Sequence, residues 1–90
     1  MNYSTLVLLI QKEFSDLHFE DARALAMNPE TAQKFELLFR MRSDLAYMAE
    51  KGMLTNEIID SVGIVGKAII SNIQKDVNRY IQGKRIALSN

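Results

Sequence analysis

Two backbone signals divide the chain into three segments that each follow a helical pattern, one at Asn28-Pro29-Glu30 and one at Gly52. Asn28 suits the cap of a helix, Pro29 suits its first position and Glu30 complements the positive end of its dipole. Gly52 readily takes the left-handed conformation that ends helices. The pattern therefore predicts an all-α fold with three amphipathic helices. They span residues 4–27, 29–51 and 55–82, approximately.

These helices form either a helical hairpin or an elongated three-helix bundle. We expect a single helical domain over residues 1–90, with a frayed tail at about 84–90 after Gly83. A break in the first helix near Ser15 is an alternative, because serine often caps helices and Phe14 with Phe19 has the spacing of a hydrophobic staple.

Apolar residues exceed what one such bundle can bury. Hydrophobic residues make up 48% of the sequence, while a chain this short buries only about 60% of its unfolded surface. Each helix hides one stripe, and the last one hides a stripe that includes Ile59 and Val65. The residues outside these stripes are Leu8, Leu9, Phe19, Leu37, Met41 and Met48. We expect them to form a protein interface, with a homo-oligomer, a dimer or larger, completing the fold. The alternative is a monomer with scattered apolar surface residues.

Gly63 and Gly66 belong to the segment Ser61–Lys67, whose last two residues resemble the end of a phosphate-binding loop. That motif requires glycine in place of Ser61 and a hydroxyl residue in place of Ala68, so it is not present. On a helix, the two glycines instead allow close approach of another helix or a bend. We therefore assign both to the predicted interface.

Arg42 lies near the centre of the apolar arc of the second helix. A buried guanidinium needs a carboxylate. Asp21 and Asp76 lie inside or beside the stripes of the other helices, so the sequence predicts a buried ion pair among these three residues. The alternative is a long side chain whose head reaches water.

Basic residues gather near the C-terminus: Lys75, Arg79, Lys84 and Arg85. They are candidate nucleic-acid contacts, with Tyr80 as a nearby stacking group. The formal net charge of zero argues against strong polyanion binding. Cations at the negative end of a helix dipole are the simpler explanation.

The sequence lacks the residues that several classes of function require. The chain has no cysteine and one histidine, which removes thiolate nucleophiles and the usual zinc sites. We identify no catalytic, metal-binding or cofactor-binding residue and expect neither an enzyme nor a cofactor. The longest apolar run, Leu6 to Ile10, is far shorter than the roughly 20 residues of a membrane span. We expect a cytoplasmic protein with no membrane span.

Turn and apolar residues follow one another in a set order: Asn28-Pro29-Glu30, Phe35, Tyr47 and Gly52-Met53-Leu54, before an Ile-rich terminal helix. This order resembles the needle subunits of type III secretion systems over about half of the chain. Those subunits are helical hairpins that polymerise into a hollow filament, and the resemblance implies a needle-like filament subunit. This chain continues beyond the point where they end and lacks their polar N-terminal segment.

The predicted function is a non-enzymatic helical protein-protein interaction or assembly module: an adaptor, a chaperone-like partner or a regulatory subunit. It acts by burying an exposed apolar helical face against another protein. The alternatives are a small helical nucleic-acid-binding regulator and the filament subunit.

Overall fold

The computed structural model describes residues 1–89, which form four α-helices and no strand. The helices are α1 (Tyr3–Glu13), α2 (Phe19–Met27), α3 (Pro29–Glu50) and α4 (Asn56–Ser89). The predicted all-α class is confirmed. The predicted number of three helices is wrong, because the first of them is divided in two.

The division lies between Phe14 and His18. Phe14 leaves the helical region with φ −120° and ψ 79°, and its carbonyl accepts a hydrogen bond from Leu17 N–H at 3.0 Å. His18 precedes α2 with extended backbone angles, φ −71° and ψ 158°. The break therefore lies near Ser15, as the alternative predicted, although the capping position is His18.

The two ends of α3 follow the predicted signals. The side-chain oxygen of Asn28 accepts a hydrogen bond from the N–H of Glu30 at 3.1 Å. Gly52 has a φ of 68°, and beyond it the N–H of Met53 donates to the carbonyl of Met48 at 2.8 Å. This is the hydrogen-bond pattern of a glycine-terminated helix. The side chain of Asn28 therefore determines the start of α3, and the positive φ of Gly52 determines its end.

The last helix is longer than the sequence predicts. It continues past the expected end at Gln82, so residues 84–89 are helical where a frayed tail was predicted; Asn90 lies outside the described residues. The amine of Lys84 donates to a carboxylate oxygen of Asp21 at 2.9 Å, which ties this part of α4 to α2. Gly83 does not have the positive φ that would end the helix.

The core lies at one end of an elongated molecule. Its buried apolar residues come from α1, the connection to α2, α2 itself, the first part of α3 and the middle of α4: Leu6, Val7, Ile10, Leu17, Ala22, Leu25, Ala26, Phe35, Leu38, Ile73 and Val77. We call this end the base, and residues 40–68 the arm. The molecule measures 55 × 24 × 21 Å and its radius of gyration is 15.1 Å, against about 12 Å for a compact domain of this length.

Phe35 is the centre of the base, with no exposed surface. Its ring meets that of Phe14 edge-on, with the centroids 5.9 Å apart, and stacks on that of Phe39 at 5.8 Å. Ile73 of α4, also fully buried, belongs to the same cluster. In the described part of the chain, no helix has the length and apolarity needed to cross a membrane.

We expect Ile73→Val to lower the free energy of unfolding by about 0.5–1.5 kcal/mol, because it leaves a methyl-sized gap in a closed core. The matched control is Ile64→Val in the arm of the same helix, where the isoleucine is 71% exposed; its effect stays within about 0.5 kcal/mol. Urea denaturation of both variants measures the difference. Equal losses of stability would contradict the division into base and arm.

Candidate interaction surface on the helical arm

The arm is a two-helix layer that α1 contacts only at the end next to the base. None of residues 40–68 is buried. At 1.5 Å per residue, α4 is about 51 Å long, whereas α1 and α2 are about 17 and 14 Å long. The two short helices therefore cover the base and reach the arm only at its first residues, where Glu13 of α1 pairs with Arg42. Beyond them, the second half of α3 packs against the first half of α4.

Large apolar side chains are exposed along the arm: Tyr47, Met53, Ile59, Ile64 and Val65. The sequence pattern placed Ile59 and Val65 on a buried stripe, and the structure leaves each about half exposed, at 47% and 49%. The assignment failed because the pattern shows which face of a helix is apolar and not how far a neighbouring helix extends. One sequence signal could have predicted this exposure: a break in the first helix together with a long last helix.

Two apolar grooves flank the contact between α3 and α4, and they share no lining residue. The first, which we call the glycine groove, has a volume of about 350 Å³; it is lined by Leu38, Met41, Arg42, Leu45, Ile59, Val62, Gly63, Gly66, Lys67 and Ile70. The second, the leucine groove, has a volume of about 480 Å³; it is lined by Lys34, Leu37, Ile64, Val65, Ala68, Ile69 and Asn72. Apolar walls with a few charged residues at the edges are typical of protein-binding surfaces.

The predicted interface residues divide between the two parts of the molecule. Leu37 lines the leucine groove and Met41 lines the glycine groove, while Met48 is half-buried in the arm. The other three belong to the base: Leu8, Leu9 and Phe19. The ring of Phe19 is covered in part by the guanidinium of Arg23, 5.9 Å from its centroid.

Arg42 forms an ion pair, but not with the predicted partners. Its two terminal nitrogens donate to the two carboxylate oxygens of Glu13 at 2.7 and 3.0 Å. This hydrogen bond lowers the pKa of Glu13 and raises the pKa of Arg42. The Arg42 side chain is 46% exposed, so the prediction of a buried pair with Asp21 or Asp76 is wrong. The break after α1 leaves Glu13 at a helix end that faces α3, which no sequence pattern indicated.

Asp21 is buried in the base and joins α2 to α4. It accepts hydrogen bonds from the amine of Lys84 at 2.9 Å and from the hydroxyl of Tyr80 at 3.0 Å. The hydrogen bond from Lys84 outweighs the opposing effect of burial, so the pKa of Asp21 is below its ordinary value. Burial and the bond to Asp21 raise the pKa of Tyr80.

Asp76 joins α4 to α3 in a similar way. It accepts hydrogen bonds from the amine of Lys34 at 2.8 Å and from the hydroxyl of Thr31 at 3.0 Å. Burial opposes ionisation, but these bonds and the positive charges of Lys34 and Arg79 lower the pKa of Asp76 overall. Both predicted aspartates therefore serve the packing of the base.

The predicted nucleic-acid contacts lie along the base part of α4. Lys84 is paired with Asp21, and a terminal nitrogen of Arg79 lies 3.9 Å from Asp76. Lys75 and Arg85 are exposed. Lys84 and Arg79 therefore each have a carboxylate close by, which weakens the electrostatic basis for polyanion binding.

Comparison with protein-family models, curated proteins and solved structures finds no match for this chain. The resemblance to needle subunits stays a hypothesis. Among residues 1–89, no group of three or more histidine, aspartate or glutamate side chains is placed to hold a metal ion. The arm is consequently the candidate functional site that the geometry itself identifies.

We expect Asp21→Asn to lower the free energy of unfolding at neutral pH by about 1–2 kcal/mol, since it weakens charged hydrogen bonds whose Lys84 end is screened by solvent. In the unchanged protein, the folded pKa of Asp21 lies below its unfolded value of about 3.9. The unfolded chain therefore binds more protons as the pH falls below about 4, and this part of the stability disappears.

Urea denaturation over a series of acidic pH values measures both effects. The difference between the unchanged chain and Asp21→Asn should shrink as the pH falls. Asp16→Asn, at an exposed position between α1 and α2, is the control and should differ little from the unchanged chain at every pH. A constant gap for Asp21→Asn across the series would contradict the assignment.

Proposed function

We propose that this protein is a non-enzymatic helical assembly module that binds another protein through its arm, as an adaptor, a chaperone-like partner or a regulatory subunit. One observation carries the proposal: no residue from 40 to 68 is buried, although both helices of the arm present large apolar side chains. A stable protein seldom leaves such a surface in water without a use for it.

The surface area of the whole chain supports the same conclusion. A folded monomer of 10.3 kDa is expected to expose about 5,400 Å². This chain exposes 6544 Å², which is about a fifth more than that expectation. The excess, roughly 1,100 Å², is larger than the roughly 800 Å² that each partner buries in a standard protein interface.

The grooves also indicate the manner of binding. Both run along the arm between α3 and α4, so an elongated apolar element, such as an amphipathic helix, fits their shape. Complete burial of one side chain such as Ile64 or Ile59 contributes about 1.5–3 kcal/mol. A few such side chains offset the entropic cost of association.

Photo-cross-linking in the cells that make the protein tests the proposal. A photoreactive residue at Ile64 should give a covalent adduct with a protein, because this side chain points out of the arm at 71% exposure. The control is the same residue at Met27, which is 68% exposed in the base and should give little adduct. The two positions match in exposure and differ in location.

Sedimentation equilibrium from low to high micromolar concentration accompanies the cross-linking and identifies self-association. A chain that stays monomeric throughout and gives no adduct from Ile64 would contradict the proposed function. Adducts formed equally at Ile64 and Met27 would contradict the assignment of binding to the arm.

A further inference from the structure

Two glycines line the glycine groove, and the chain's own packing does not explain either of them. A Cβ added at Gly63 or at Gly66 would meet no atom within 4 Å, and neither residue has a positive φ. Glycine inside a helix lowers stability relative to alanine. The close approach that small residues permit is therefore not made within one copy of the chain.

Opposite charges lie on either side of Gly63 along α4. Asp60 precedes it by three residues and Lys67 follows it by four, a spacing that places all three on one side of the helix. Both charged side chains are exposed, and Lys67 lines the groove. The negative charge lies towards the tip of the arm and the positive charge towards the base.

This arrangement is complementary to itself under one symmetry operation. When a second α4 crosses antiparallel about a two-fold axis near Gly63, Asp60 of each copy faces Lys67 of the other. The midpoint of the two charged positions falls between Gly63 and Ile64, next to the residue without a side chain. Charge pairing and backbone approach therefore require the same register.

We propose that the glycine groove binds a second copy of this chain, with the two arms antiparallel, Gly63 and Gly66 at the helix crossing, and Asp60 of each copy paired with the partner's Lys67. The whole chain exposes roughly 1,100 Å² more than its mass predicts, an excess as large as the roughly 800 Å² that each partner buries in a standard interface. The leucine groove has no charged residue of α4 in its lining.

The inference rests on the proposed function and names the occupant of one of its two grooves; the leucine groove, where the cross-linking position Ile64 lies, is left to another protein. The dimer turns a pair of two-helix arms into a four-helix layer in which each glycine groove is covered. The leucine grooves stay open at the outside of the dimer.

Glycine substitutions provide the first test, by sedimentation equilibrium. Gly63→Leu should weaken the dimer by about tenfold or more, because a large side chain separates the crossing helices. An added Cβ at Gly63 meets no atom within 4 Å, and circular dichroism checks that the monomer of the variant stays helical. The matched control is Gly83→Leu, at an equally open glycine of the same helix outside the groove, which should leave the dimer constant unchanged.

Charge exchange provides the second test. Asp60→Lys and Lys67→Asp should each weaken self-association by about tenfold or more, because like charges then face each other twice. An equimolar mixture of the two variants should associate again, since each copy now carries the charges that complement the other. The double variant Asp60→Lys/Lys67→Asp should recover the homodimer. Circular dichroism confirms that each variant stays helical.

The outcomes separate this inference from the proposed function. If Gly63→Leu associates as the unchanged chain does, or if the mixed variants associate no better than each alone, the antiparallel dimer is overturned. Adducts of the arm with a different protein, found together with a monomeric unchanged chain, also overturn the dimer and leave the proposed function standing. Recovery of association in the mixture supports the stated register.

Discussion

The difference in length between the helices is the constraint on which the rest of this structure depends. α3 and α4 are long enough to form a hairpin over much of the molecule's 55 Å length, whereas α1 and α2 reach only its base and the first residues of the arm. A pair of helices has one mutual contact face, so apolar residues elsewhere on either helix need a third neighbour. In the base, the short helices supply that neighbour. In the arm they do not, and both grooves result from this.

Polar contacts fix the relative positions of the helices in and next to the base. Glu13 joins α1 to α3 through Arg42, Asp21 joins α2 to α4, and Asp76 joins α4 to α3. Because the basic side chain of each pair is partly exposed, each pair adds at most about 1–2 kcal/mol to the stability. Their value lies in geometry, because each pair is satisfied in one register only. The apolar cluster around Phe35 supplies the driving force for folding.

The sequence allowed the prediction of features that local chemistry determines. Asn28 and Gly52 specify the ends of α3 through hydrogen bonds to the adjacent backbone, and Gly63 and Gly66 were correctly placed inside a helix. The break near Ser15 was visible as an alternative. The partner of Arg42 was not predictable, because it depends on the direction that α1 takes after Glu13. The contact that α4 makes past Gly83, from Lys84 to Asp21 on another helix, was not predictable either.

The prediction of the candidate surface was limited in the same way, because it also depends on contacts between helices. Periodicity identified the surplus of apolar residues, and Leu37 and Met41 do line the grooves. It also included Leu8 and Phe19, which lie on the base, and it excluded Ile59 and Val65. Sequence periodicity reports the orientation of a residue around its own helix. Exposure also depends on the positions of the other helices, which tertiary packing determines.

α4 is one continuous helix, so the same helix contributes Ile73 and Val77 to the core and forms one side of the arm. A ligand that binds only the folded arm therefore lowers the free energy of the folded state and stabilises the whole helix by mass action. Occupancy of the arm and resistance of the core to unfolding are thermodynamically linked, so the apparent melting temperature of the core rises with the concentration of the binding partner.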